Sequence, residues 1–289
     1  MTREESIRAA VLRGITLNRV PGLHFPGNLL GLSFEHITSA NSLLTLEADP
    51  HCLEADGQMN FGALALLADI AMAGTVRANL EPTTRLGTVG MSLQFCGAPA
   101  TGRLAARAEF DGFFRQGAGR LGVTRCVVSN AAGPICTGTG SFMMLVPPKD
   151  VVLYPIQFRR RDDQPVTLLP DDALTSDERG IVRRAGVAMQ GATGAMKNGP
   201  HIGNRVGHVQ GGILMGFAAA TAQAALPANW SLAAITAAYI SPGEGAVLRA
   251  RSRMVHHGRL TLVIHTQIKG KDRRVVLDAT TNHLRRIEG

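Results

Sequence analysis

Two short segments of the chain carry side chains that could do chemistry, and they are copies of one another. The first runs Gly57-Gln-Met-Asn60-Phe-Gly62-Ala-Leu-Ala-Leu-Leu-Ala-Asp69, and the second, 150 residues on, runs Gly207-His-Val-Gln210-Gly211-Gly212-Ile-Leu-Met-Gly-Phe-Ala-Ala219. Each has a turn of small residues, an amide side chain (Asn60, Gln210), a glycine two residues later and an apolar helical run. Nine residues past the amide, the first copy has Asp69 and the second has Ala219. A duplicated fold with one carboxylate is the pattern of an asymmetric active site.

A glycine at a helix entrance exposes backbone N–H groups that no helical carbonyl satisfies. With the helix dipole these suit an anion or a developing oxyanion. Gly211-Gly212 leaves the approach open, whereas Phe61 crowds the same place in the first copy. Close helix–sheet packing is the other use such glycines have. Asp69 follows a run, Phe61 to Ala68, that is wholly apolar or Gly. A carboxylate in such a buried helix costs several kcal/mol unless it is paired or used; a nearby Arg or hydroxyl would be the structural solution. Asp69 lies about 13 Å along the axis from Asn60 at helical rise, too far to serve the entrance of its own helix. It can reach the entrance of an antiparallel neighbour. Asp69 should therefore face Gly211, and the mirror arrangement, Gly62 with Ala219, should lack its carboxylate.

The elements that must position these groups are legible in outline. Glu4 to Arg13 reads as a short amphipathic helix, and Leu32 to Ala48 as one strand or two. Phe61 to Leu80 reads as a helix ended by Glu81-Pro82. Thr88 to Phe95, Arg103 to Phe113, Gly122 to Val128 and Ile135 to Val146 read as an antiparallel meander. Residues 147–200 form a connector with one helix, Ser176 to about Met189, begun by the capping box Thr175-Ser-Asp-Glu178. Helix and four strands then recur: Gly212 to Leu226, Ala233 to Ile240, Ala246 to Val255, Leu260 to Lys269 and Val275 to Leu284. No strand is evident before the second helix. The expected division is 1–146, a first half with an N-terminal helix; 147–200, the connector; and 201–289, a second half.

The second copy, Asn204-Arg-Val-Gly207-His-Val-Gln210-Gly211-Gly212 before an apolar helix, resembles the hotdog-fold acyl-CoA thioesterases of the phenylacetate-pathway and 4-hydroxybenzoyl-CoA type. Their pattern is Asn-x-x-Gly-x-x-His-Gly-Gly with an acid nine residues after the His. Arg251-Ser-Arg-Met-Val-His-His-Gly-Arg-Leu260 is similar to the family's third-strand turn, and the likeness spans most of residues 30–146 and 201–285. It implies an α+β double hotdog: two long central helices, each wrapped by antiparallel strands of one continuous or paired sheet. A tandem chain would supply internally the dimer on which the family builds its site. By the same resemblance Asp69 is general base or nucleophile on the thioester, and the Gly211 N–H polarises its carbonyl. Asn204 helps to position water or carbonyl, and Thr88 matches a hydroxyl that holds the water. Gln210 stands where the family has His, and Glu54 where the first copy would need Asn. The implied activity is hydrolysis of an acyl-CoA, with CoA a part of the substrate and no metal or other cofactor.

Composition bounds the partners. The 289 residues are 45% hydrophobic and 18% charged, with a formal net charge of +8, a balance that favours anionic ligands. With 4% aromatics and no recognition motif, nucleic acid is not expected. Gly212, Arg259, Arg115 and Arg120 are candidates to hold CoA, and Met59, Leu64, Met215 and Phe217 to line the acyl groove. Cys52, Cys96, Cys126 and Cys136 have no metal or disulfide spacing. Gly117-Ala-Gly-Arg-Leu-Gly122 matches GxGxxG but lies between strands, so no dinucleotide site is expected. His256-His257-Gly258 reads as a hairpin turn, and Arg249, Arg251 and Arg253 as a solvent face. The N-terminus lacks a signal-peptide pattern and the longest apolar stretch is too short to span a bilayer; a cytoplasmic protein, possible as a homodimer, is expected. Two competing readings are a non-catalytic acyl-CoA or lipid-binding module and an enoyl-CoA hydratase. The hydratase would need an Asp-x4-His loop that neither helix start has.

Overall fold

A computed structural model describes residues 2–54, 56–116, 119–146, 149, 154–163, 165–183 and 194–286. In chain order its main elements are α1 (Arg3–Asn18), α2 (Gly27–Leu30), β1 (Ser33–Ile37), β2 (Asn41–Glu47), α3 (Phe61–Arg77), β3 (Arg85–Phe95), β4 (Arg103–Gln116), β5 (Gly119–Asn130) and β6 (Gly133–Leu145). After the connector come α4 (Ser176–Arg183), β7 (Ala195–Lys197), α5 (Gly211–Gln223), β8 (Trp230–Tyr239), β9 (Val247–His257), β10 (Thr261–Lys269) and β11 (Val275–Arg285). The class is α+β.

The strands form one antiparallel sheet of eleven, ordered β1-β2-β4-β5-β6-β3-β8-β11-β10-β9-β7. The halves join at β3 and β8, which pair from Gly90↔Ala238 to Gln94↔Ala234. Outward from that seam, β3-β6-β5-β4-β2 is matched by β8-β11-β10-β9-β7. The duplication seen in sequence is therefore also a duplication of strand order. The strand missed before the second helix is β7, which pairs with β9 as β2 pairs with β4. Its three described residues are too few to show a period-2 pattern.

Helices α3 and α5 lie against the sheet and against each other. The run of Ala and Leu in α3 favours helix, Asn60 caps it by accepting from the Gly62 N–H at 2.8 Å, and Leu64, Leu66, Leu67 and Met72 are fully buried. Gln210 caps α5, its Oε1 accepting from the Ile213 N–H at 3.2 Å. The two helices run antiparallel at backbone contact. A Cβ on Gly216 would fall 2.5 Å from Gly62 Cα, and one on Gly212 would fall 2.5 Å from Leu66 Cα. Glycine at these crossings brings the axes closer than any side chain allows. The described residues hold five helices, the four expected from sequence and the short α2; of the two expected to be long and central, α3 has 17 residues and α5 has 13.

The other three helices cover one end. Helix α1 runs five residues beyond the expected Arg13 because Ile15 and Leu17 continue its buried face. Its start is a capping box between Thr2 and Glu5. Val11, Leu12 and Ile15 pack with Leu29, Leu174 and Ile181, so the connector closes back on the N-terminal helix in a small second core. The Thr175–Glu178 box forms as expected, with N–H to Oγ1 at 3.2 Å and N–H to Oε2 at 2.7 Å. The rest of the expected helix, residues 184–189, lies outside the described residues. Farther back in the connector, Phe158 stacks obliquely on Phe34 at 5.2 Å between ring centres. Among the described residues no helix is long and apolar enough to cross a membrane.

Candidate active site

The loops that enter α3 and α5 are built alike. Glu54 N–H donates to Gln58 O and Asn204 N–H to His208 O; Gly57 N–H donates to Glu54 O and Gly207 N–H to Asn204 O. Gly57 and Gly207 hold φ of 81° and 78°, the left-handed region that glycine adopts at least cost. Each loop thus delivers its amide, Asn60 or Gln210, to the first turn of its helix. Asn204 serves this geometry itself, its Oδ1 accepting from the N–H groups of Val206 and His208, both at 3.1 Å. It also borders the cavity described below.

Asp69 lies in the middle of α3, where the antiparallel crossing sets it beside the entrance of α5. It is 1% exposed. Thr88 on β3 donates its hydroxyl to Oδ1 at 3.0 Å. Gln210 donates its side-chain N–H, and Gly212 its backbone N–H at 3.3 Å, to Oδ2. The amide of Gln210 is thereby fixed at both ends, by Asp69 and by the Ile213 N–H. Burial pushes the Asp69 carboxyl up from an ordinary 3.8 to about 6, and the hydrogen bonds from Thr88, Gln210 and Gly212 oppose that rise. The N-terminal end of the α5 dipole also favours the ionised form.

Of the first N–H groups of α5, Gly212 gives its own to Asp69, Ile213 to Gln210 Oε1 and Leu214 to Gln210 O. That leaves the Gly211 N–H at the cavity wall. A Cβ at Gly211 would fall 2.8 Å from Thr88 Oγ1 and 3.1 Å from Asp69 Oδ2. The glycine is therefore part of the space beside the carboxylate. Tyr239, which sequence reasoning missed, donates its hydroxyl to Gly211 O at 2.9 Å. Burial, and then the Asp69 charge, raise its phenol well above the ordinary 10.0, so it remains a donor. Its one sequence signal was being one of only two tyrosines, set at the end of an expected strand.

These groups open on a cavity of about 610 Å³ that Asp69, Thr88, Asn204, Gln210 and Gly211 all border. Arg77, Arg85, Arg205 and His208 border it too, none of them singled out from sequence. In the mirror position Ala219 offers no carboxylate. Asn60 there donates to Glu54, and Phe61 packs on Phe95 with ring centres 5.8 Å apart.

Other expected contributors lie elsewhere. Gly212 faces the α3 backbone, with Ala65 O 2.7 Å from where a Cβ would sit. It has no room for a ligand and acts through its N–H on Asp69. Arg115 and Arg120 oppose each other near the tip of the β4–β5 hairpin, Arg120 lying 3.6 Å over the Phe113 ring. Arg259 sits exposed in the turn between β9 and β10. None of the three borders the cavity. Net charge and turn position drew attention to them, and neither reports which way a turn faces. Met59, Leu64, Met215 and Phe217 are core residues, and the cavity is bordered instead by Ile70, Ala73, Leu86, Phe142 and Leu214. The four cysteines are free. Among the described residues no group of three or more His, Cys, Asp or Glu could hold a metal. Gly119 and Gly122 of the GxGxxG match stand in β5, while residues 117 and 118 lie outside the described residues.

The model of the acyl-CoA thioesterase N-terminal domain matches residues 201–283. No curated protein matches the sequence. Among solved structures, the fold is similar to that of a protein described as an oleoyl thioesterase from Lactobacillus plantarum. That likeness has a TM-score of 0.55 and 12% identity, over 90% of this chain and 100% of that one. A 12:0-ACP thioesterase from Umbellularia californica is similar at a TM-score of 0.54 and 11% identity, over 84% of this chain and 93% of that one. The chain therefore has a hotdog-like thioesterase fold, its second half matches an acyl-CoA thioesterase domain, and the comparisons together support a thioester hydrolase.

Proposed function

We propose that the chain hydrolyses an acyl-CoA thioester to free acid and CoA at a single site shared by its two halves. On this reading the molecule is a double hotdog of the phenylacetate-pathway and 4-hydroxybenzoyl-CoA thioesterase kind. The observation that carries the reading is that Asp69, from the first half, is hydrogen-bonded by Gln210 and Gly212 at the helix entrance of the second half.

The thioester carbonyl is held with its oxygen toward the Gly211 N–H and the positive end of α5, which stabilise the charge that develops on it. Tyr239 steadies the Gly211 peptide from behind. Asp69, ionised above about pH 6, either draws a proton from the water that attacks the carbonyl, or attacks the carbonyl itself to give a mixed anhydride that water then hydrolyses to the free acid. In either case the C–S bond breaks and a proton from water ends on the CoA sulfur. Thr88 and Gln210 fix the plane of the carboxylate at the cavity wall. Asn204 shapes the loop that carries Gln210 and Gly211. CoA leaves as the thiol, and it is the only carrier the reaction needs.

The test is CoA release from a panel of acyl-CoAs of graded length and polarity, followed with a thiol reagent. Release from at least one member, saturating with substrate, is expected. Binding of the panel without any release would overturn the proposal in favour of a non-catalytic acyl-CoA-binding module.

A further inference from the structure

We infer that the cavity beside Asp69 is built for a substrate whose acyl arm carries an anionic oxygen group, a carboxylate, held by Arg77 and Arg205. The inference rests on the thioesterase reading above and extends it to the class of acyl group.

Asp69, Ala73 and Arg77 recur every four residues on α3, so they share one face of the helix, and all three border the cavity. Arg77 is about 12 Å from Asp69 along the axis at helical rise. Its guanidinium is held at that end of the cavity by Thr84, whose carbonyl accepts from Nη1 at 2.8 Å. Between the two ends the wall is apolar: Ile70, Ala73, Leu86, Phe142 and Leu214. An acyl chain laid along that wall from the Gly211 N–H would end at Arg77. Carbon–carbon bonds of about 1.5 Å advance an extended chain by only about 1.25 Å each, so a chain of about eight to ten carbons covers the span.

Arg205 comes to the same end from the loop before α5. The two guanidiniums are close enough that burial, and then the Arg205 charge, bring Arg77 down to about 10. Arg77 Nη1 donates to Thr84 O at 2.8 Å and Arg205 Nη2 to Tyr154 O at 2.7 Å. Arg205 Nη1 is buried with no hydrogen-bond partner. No ion pair among the described residues includes either arginine. Among the described residues Asp69 is the one carboxylate on the cavity wall, and both its oxygens accept hydrogen bonds from the protein. The third arginine, Arg85, is answered differently. It donates to His208 Nδ1 at 3.0 Å, and His208 Nε2 meets Glu244 at 3.0 Å. Two neighbouring, partly buried cations with no counter-charge among the described residues are costly. An anion brought by the ligand removes that cost, and the guanidinium fork suits a carboxylate.

The decisive experiment compares kcat/KM for an unbranched acyl-CoA of about eight to ten carbons, a length set by the bond-length estimate above, with that for its ω-carboxylate analogue. The same pair is also measured as acyl-pantetheines, which carry no phosphate. The wild-type chain is expected to favour the carboxylate by about tenfold or more, as for a hydrogen bond to a charged group. In Arg77→Gln and Arg205→Gln that ratio should fall toward one, mostly through KM, on both carriers. Should Arg77→Gln fail to fold, Arg205→Gln, on a loop, carries the test. A wild-type ratio near one, or a ratio unchanged in the variants, would overturn the inference. So would a change seen only with CoA thioesters, since the arginines would then hold phosphate. Failure of the thioesterase reading is distinct: wild-type protein would then release thiol from neither substrate.

Discussion

A buried carboxylate is normally a liability, and Asp69 shows how one is kept usable. Three donors hold it, and burial still leaves its folded value near 6 against an ordinary 3.8. The folded state therefore binds the proton more tightly than the unfolded chain does. Ionising Asp69 costs stability as pH rises from about 4 through about 6, on the order of 3 kcal/mol in full. Asp69→Asn should accordingly raise the melting temperature at pH 8 and leave it unchanged near pH 4, as thermal unfolding at the two pH values will show. The acid limb of kcat/KM should fall near pH 6 in the wild type. Thr88→Val removes a donor that favours the ionised form, so it should move that limb to higher pH. A limb that stays in place would mean that Thr88 does not support the charge. At this scale the sequence was informative about Asp69 because a lone acid in an apolar helix is conspicuous. It was silent about Tyr239 and Arg77, whose roles depend on what lies across from them.

At the scale of elements, the adjacent glycines at the start of α5 do different jobs. Gly211 faces side-chain atoms of Thr88 and Asp69, whereas Gly212 faces the backbone of Leu66 and Ala65. Side chains can shift and a packed helix backbone cannot. Gly211→Ala should mainly reduce CoA release, while Gly212→Ala should mainly reduce stability, by about 1–3 kcal/mol as for an overpacked core. Thermal unfolding together with CoA release on both variants separates these outcomes; equal melting temperatures would contradict the assignment. The sequence reading left open whether such glycines bind or pack; at the crossing of α3 and α5 Gly212 packs on backbone, while Gly211 borders the cavity. Helices α3 and α5 and the long strands were legible from apolar runs and turn residues. Strand β7 was not, because three described residues carry no periodicity, and the C-terminal turns of α1 were not, because their burial depends on Leu29, Leu174 and Ile181.

For the whole molecule, duplication joins two similar halves in one sheet, yet the two helix entrances are unequal. One has Asp69 opposite Gly211; the other has Ala219 opposite Asn60 and Phe61. A non-hydrolysable acyl-CoA analogue should therefore bind by calorimetry with one site per chain, and two equivalent sites would contradict the asymmetry. The repeat, with Asp69 in one copy where the other has Ala219, made this asymmetry legible from sequence. The cavity and its basic end were not, because the loop before α5 and the end of α3 meet only in three dimensions. The most direct test of one site made from two halves is the rate of CoA release by Asp69→Asn, measured on the best substrate of the panel with folding checked by cooperative thermal unfolding. The account predicts a folded protein whose kcat/KM is lower by about 10²–10⁴-fold, the range of a lost catalytic acid or base. A folded Asp69→Asn chain that releases CoA at the wild-type rate would contradict it.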